Sequence, residues 1–137
     1  MHAHAPEANL QRLLASLSPV LHEGAYVFCH VRVLPTDVVP IALFREAEGI
    51  SLVLPLVQAQ ALHLPYDGVF AWITLEVYSS LFAVGMTAAV AHALAEVGIC
   101  ANVVSAFHHD HVFVPYTRGD EAVGVLKRLA EPVATQS

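Results

Sequence analysis

The chain has 137 residues, 56% of them apolar and 13% charged, with a formal net charge of −6 from 6 Lys+Arg and 12 Asp+Glu. That length allows one compact unit or two very small ones. An acidic balance with no basic cluster argues against nucleic acid as a partner, and the thin polar complement predicts apolar surface hidden in an oligomer.

The first residues, Met1-His2-Ala3-His4-Ala5-Pro6, have no basic stretch followed by an apolar core, so they do not read as a signal peptide. Leu10, Leu13, Leu14 and Leu17 recur at spacings of three and four, predicting a short amphipathic helix capped by Asn9 and ended by Pro19. Gly24 opens a β-branched and aromatic strand, Tyr26 to Val31, and Pro35 to Pro40 is a loop. Ile41–Phe44 and Ile50–Leu54 flank Arg45-Glu46-Ala47-Glu48-Gly49, a hairpin whose Gly49 suits positive φ. Pro55 stops the second strand, and Leu56 to Leu62 is one or two turns of helix.

His63-Leu64-Pro65-Tyr66-Asp67-Gly68 is the clearest break in the chain and predicts a module boundary, giving modules 1–66 and 67–137. Ala71, Ile73, Leu75 and Val77 then alternate with Trp72, Thr74, Glu76 and Tyr78, a strand at period two. After the turn Ser79-Ser80-Leu81-Phe82, the residues Val84, Thr87, Ala88, Ala91, Leu94 and Ala95 predict one face of a helix, and Gly98 ends it. Ala101–Phe107 and His111–Tyr116 are strands around a tight His108-His109-Asp110 turn, and Asp120–Ala130 closes the chain as a helix. No Asp, Glu, Lys or Arg stands between Glu76 and Glu96, a length that would permit a membrane span. The strand-like alternation, Gly85, His92 and the acidic flanks argue against one.

Strand, helix, strand, strand, helix is the order of a ferredoxin-like half-sandwich, with both helices on one face of the sheet. The stretch Ile73–Ala130, with Ala93-Leu94-Ala95-Glu96-Val97-Gly98-Ile99 followed by Asn102-Val103-Val104-Ser105, resembles an ACT domain of the kind found in aspartate kinase regulatory regions. Phe44 to Pro55 and Trp72 to Leu75 extend the likeness to small stand-alone bacterial proteins with two ACT modules, similar to the Castor arginine sensors of animals; it covers roughly residues 10–130. The resemblance implies an α/β fold of two ferredoxin-like ACT modules, helices packed on one face of antiparallel sheets. It also implies a cytoplasmic, non-enzymatic regulatory or sensor protein that needs no cofactor and binds a small effector, an amino acid or similar, at a module or subunit interface.

Carried over residue by residue, the ligand-binding positions are Ser79, Ser80, Val84, Gly85 and Met86, then Asn102, Val103 and Ser105. Ser79-Ser80 stands where many effector-binding members have an acidic residue. The chemistry is independent of the name. An amino-acid carboxylate wants the N–H groups of a helix N-terminus, Gly85 allows close backbone approach, and Asn102 offers both a donor and an acceptor. The implied partners are the effector and a second copy of the chain, as homodimer or higher, with a downstream protein to receive the signal.

Two other readings stand beside it. One is an interaction module with the fold and no ligand. The other is a metal site built from His108, His109, Asp110 and His111, set against an ordinary turn. Glu46 and Glu48 read as a solvated hairpin tip, and Phe44, Phe70 and Trp72 as packing residues. Cys29 and Cys100 read as two buried free thiols of a reducing compartment, with a single disulfide as the alternative. No nucleophile with an identifiable base, no Walker loop and no dinucleotide fingerprint is found.

Overall fold

The computed structural model describes residues 9–77 and 81–131. Asn9 accepts a hydrogen bond from the Arg12 N–H and starts α1, Leu10–Ala15. The strands β1 (Pro19–Leu21), β2 (Tyr26–Val31), β3 (Ala42–Glu46) and β4 (Gly49–Pro55) follow, then α2 (Leu56–Ala61). The second half holds β5 (Phe70–Leu75), α3 (Met86–Glu96), β6 (Asn102–Ser105), β7 (Asp110–Pro115), a 3₁₀ turn at Tyr116–Arg118 and α4 (Gly119–Ala130). Among the described residues, the strands join in one sheet of order β3-β4-β2-β5-β7-β6, with β1 also paired to β5.

The strand β5 is the hinge of this arrangement. Phe70 pairs with Tyr26 of β2, while Ile73, Thr74 and Leu75 pair with Leu21, Val20 and Pro19 of β1. Thus β1 and β2 are two pieces lying along one side of β5, interrupted at Gly24, where φ is +92°. All pairings are antiparallel, so tight hairpins suffice for β3–β4 and β6–β7. In the second half, β1-β5-β7-β6 with α3 and α4 makes a complete four-stranded ferredoxin-like unit. Its edge strand comes from the N-terminal segment, and the sequence pattern did not reveal β1, which is only three residues long.

Strand alternation sorts the apolar residues into two faces. On the helix face, Leu13 and Leu17 pack with Ile73, Leu75, Val90, Leu94, Val112, Val114 and Leu126. A second cluster on the same face joins Val27, Cys29, Val31, Leu52 and Leu54 to Ala59 of α2 and to Val38 in the loop before β3. The helix-free face carries Tyr26, Val53 and Phe113, with Phe28, Phe70 and Trp72 packed against them. Phe70 and Trp72 therefore do pack at the junction of the two halves, as their sequence setting predicts.

Four expectations need correction. Phe44 is 72% exposed, because it sits on the edge strand β3 with its face open. Cys100 is exposed, and both cysteines are free. The buried stripe of α3 is Met86, Val90 and Leu94, while Thr87, Ala88 and Ala95 face water. Alanine surrounds this helix on most sides, so periodicity alone points only weakly to a face. Asp110 is the first residue of β7, paired with Ser105, and not part of the turn. Of the described residues, no helix is long and apolar enough to cross a membrane.

Candidate functional site

The segment leading from β5 into α3 closes on Gly85, which holds φ at +98° as the cap residue of the helix. A Cβ there would meet Leu10 Cδ2 at 3.0 Å, so close packing by α1 and left-handed backbone both favour glycine. The first turn of α3 has no side-chain cap bond and no acidic residue. By contrast α4 carries Asp120 and Glu121 in its first turn and Lys127 and Arg128 in its last. The positive end of the α4 dipole is thus answered within its own first turn; α3 has no such first-turn acid.

A cleft of about 80 Å³ opens at this N-terminus, lined by Leu81, Ala83, Met86, Thr87, Ser105, Ala106 and Asp110. Asp110 is only 9% exposed, yet among the described residues no hydrogen bond or ion pair engages its carboxylate. Its carboxylate opens into the cleft, where its oxygens can accept hydrogen bonds from a bound group. Its neighbours supply hydroxyls from Thr87 and Ser105. The cleft therefore offers an anionic acceptor on one wall and N–H and O–H donors on the other, the complement of a group carrying both an ammonium and a carboxylate.

Of the sequence-expected residues, Met86 and Ser105 line this cleft. Gly85 shapes its lip, and Val84 lies beside it, exposed. Val103 packs toward the helix-face core. Asn102 pairs with Phe113 at the far end of β6, on the helix-free face, and does not join the others. Ser79 and Ser80 lie outside the described residues. Sequence reasoning missed Thr87 and Asp110. The signal for Asp110 was present: counting back by twos from Val114 and Val112 puts it on the helix face.

The same alternation splits the histidine cluster. Asp110 turns to the helices and His111 to the opposite face, and among the described residues no three His, Cys, Asp or Glu side chains gather to hold a metal ion. A wider groove of about 380 Å³ lies at the β1–β2 interruption. Its carboxylates, Glu23 and Asp120, are exposed to water, whereas Asp110 of the α3 cleft is largely covered.

A seven-stranded antiparallel sheet with its helices on one face, built from two ferredoxin-like units sharing β5, defines the class: tandem ACT domains. The chain belongs to the ACT-domain family; one ACT model matches residues 5–71 and a second residues 69–128. The two matches overlap at the start of β5. Its relatives include a Vibrio cholerae protein of unknown function, described as a possible transport protein, with 46% identity and a TM-score of 0.80 over 89% of this chain and 96% of that one. An Agrobacterium tumefaciens protein shares the fold at 17% identity, TM-score 0.70, over 88% of this chain and 98% of that one. The regulatory subunit of aspartate kinase from Thermus thermophilus shares it at 9% identity, TM-score 0.64, over 85% and 99% respectively. No match is found among curated proteins. Family membership supports a ligand-binding regulatory role.

Proposed function

We propose that this protein is a non-enzymatic, cytoplasmic bacterial regulator that binds a small amino-acid-like effector by its head group at the N-terminus of α3. The observation that carries the reading is the largely covered Asp110, whose carboxylate has no partner among the described residues and shares a cleft with the first turn of α3. Asp110 accepts the effector ammonium, and the first N–H groups of α3 with the Thr87 and Ser105 hydroxyls take its carboxylate. Asp110 thus does from β7 what an acidic residue in the Ser79-Ser80 turn does in the resemblance.

The site belongs at a subunit interface. Ligand pockets run to about 300–1,000 Å³, so a cleft of about 80 Å³ seats a head group without enclosing a molecule. Leu81, Phe82, Val84 and Phe107 are all exposed around it, and β6 has an unpaired outer edge. A second copy covering that rim completes the pocket and hides the edge. The working division is two ACT modules, 1–66 and 67–137, and the signal passes to another protein when the effector shifts the population of two packings. The rival reading, an interaction module without a ligand, draws on the same apolar rim.

Thermal unfolding in the presence of each of the twenty amino acids tests this. A ligand present at a hundred times its Kd adds about 2.7 kcal/mol to stability, a clear rise in Tm for one or a few amino acids. Asp110→Asn abolishes that rise and changes the ligand-free Tm little, since among the described residues its side chain has no hydrogen bond to lose. A wild-type protein indifferent to all twenty would favour the ligand-free module. An Asp110→Asn variant that still responds would move the site elsewhere.

A further inference from the structure

On the helix-free face the sheet curls until residues from its two edges wall one cleft. Ile41 and Ala42 at the entry to β3 stand across from Val104 and Ala106 at the end of β6, with Trp72 and His111 between them, around a cavity of about 90 Å³. Its lining is apolar apart from what Trp72 and His111 present.

Those two side chains are tied into a polar chain. The indole Nε1–H of Trp72 donates to His111 Nδ1 at 3.0 Å. Thr74 Oγ1 lies 3.1 Å from the same nitrogen and 2.7 Å from His22 Nε2. His22 stacks flat on the indole, centroids 3.5 Å apart and planes 9° from parallel. An indole N–H can only donate, so His111 Nδ1 carries a lone pair and its proton sits on Nε2. Burial and the neighbouring His109 and His22 also hold His111 below the usual imidazole pKa, in keeping with a neutral ring. The bond from Trp72 thus leaves His111 one hydrogen to donate, in a cleft otherwise walled by apolar groups.

We infer that this cleft is a second binding site, for a small neutral molecule with a single acceptor oxygen, of the class of short ketones, which accepts the His111 Nε2–H. Size sets the upper limit: a dry cavity of about 150 Å³ takes benzene, so a cavity of about 90 Å³ admits a molecule smaller than benzene. Charge is excluded because a carboxylate would give up its water for one neutral donor. The site is independent of the Asp110 cleft, which lies on the other face of the sheet.

Trp72 is the sole tryptophan, so its indole N–H gives one NMR cross-peak that reports on this cleft. Titration of the full-length protein with 2-butanone should move that peak saturably. Propionate, of equal size but charged, and 2-methylbutane, of equal size without an acceptor, should bind about two- to tenfold more weakly, as loss of the one hydrogen bond requires. Val104→Phe fills the cleft from the β6 edge and should abolish the shift, and Ala42→Leu does the same from the β3 edge if the first variant folds poorly. A peak that never saturates, a shift that survives both filling variants, or controls that bind as tightly as the ketone would overturn the assignment.

Discussion

The two halves of the sheet solve the same packing problem with different resources. The C-terminal unit has four strands, β1-β5-β7-β6, covered by α1, α3 and α4. The N-terminal unit has β3, β4 and β2, a single helix of six residues, and a loop where the other unit has α3; Val38 of that loop plugs its core. The richer unit gains its extra layer from residues 10–21, which precede both units in the chain. The poorer one leans on β5 through the Tyr26–Phe70 pair. Two units that share a strand and exchange segments in this way should unfold together, and the larger stake lies in the segment that crosses between them.

The sharpest way to break the comparison is Leu13→Ala. Leu13 is fully buried among side chains of β5, α3 and α4, and a Leu→Ala cavity costs about 2–5 kcal/mol. Denaturant unfolding should show that loss as a lower midpoint in a single transition. Hydrogen exchange should rise in β5 and β7, some sixty to a hundred residues away along the chain. A loss confined to α1 would mean that the segment is an appendage and that the C-terminal unit stands without it.

Gly49→Ala probes the other half with a smaller effect. Gly49 holds φ at +144°, and a Cβ there would lie 2.5 Å from His30 Nε2 and 2.8 Å from the Val31 carbonyl oxygen. The histidine can swing away, though it would lose its 2.9 Å bond to the Glu48 carbonyl; the backbone oxygen cannot. A strained backbone position of this kind costs about 1–3 kcal/mol. If the units unfold as one, the midpoint falls by that amount for every probe. A separate early transition in the β3–β4 hairpin would show them to be independent.

How much of this was legible in the sequence differs between the halves for physical reasons. The period-two run from Ala71 to Leu75 and the hairpin around Gly49 were plain because one face is buried and the turn chemistry is local. The strand β1 was not legible, because three residues carry no period and its partner β5 is fifty residues away. The candidate site was half legible. Glycine at the α3 cap and Ser105 follow from the family likeness, but Asp110 sits after two histidines and mimics a turn, and only its strand register reveals the face it takes. Asn102 fails to reach the cleft for the same reason: on a strand, the other face is one residue away.

The smallest effect is a pH dependence, and it lies within the C-terminal unit, where the end of β1 meets β5 and β7. Burial is the main cause that pushes the pKa of His22 and His111 below the usual imidazole value of about 6.5; Glu76 opposes it for His22, and Asp110 opposes it for His111, where His109 and His22 add to the depression. For a base depressed in the fold, the unfolded chain takes up protons first as pH falls. The stabilisation is therefore fully present above about pH 6.5 and is lost as pH falls through the lower folded values. Protonation also has a geometric cost, since a hydrogen on His111 Nδ1 would face the Trp72 N–H that now donates to it. Tm measured from pH 8 to pH 5 should decline, and the His22→Gln, His111→Gln double variant should start lower and decline less. Because His22 follows β1 and His111 sits on β7, with Trp72 of β5 between them, a flat wild-type profile would mean that this contact does not hold the end of β1 to the C-terminal unit. A decline that the double variant removes would identify this contact as the part of the sheet that feels pH.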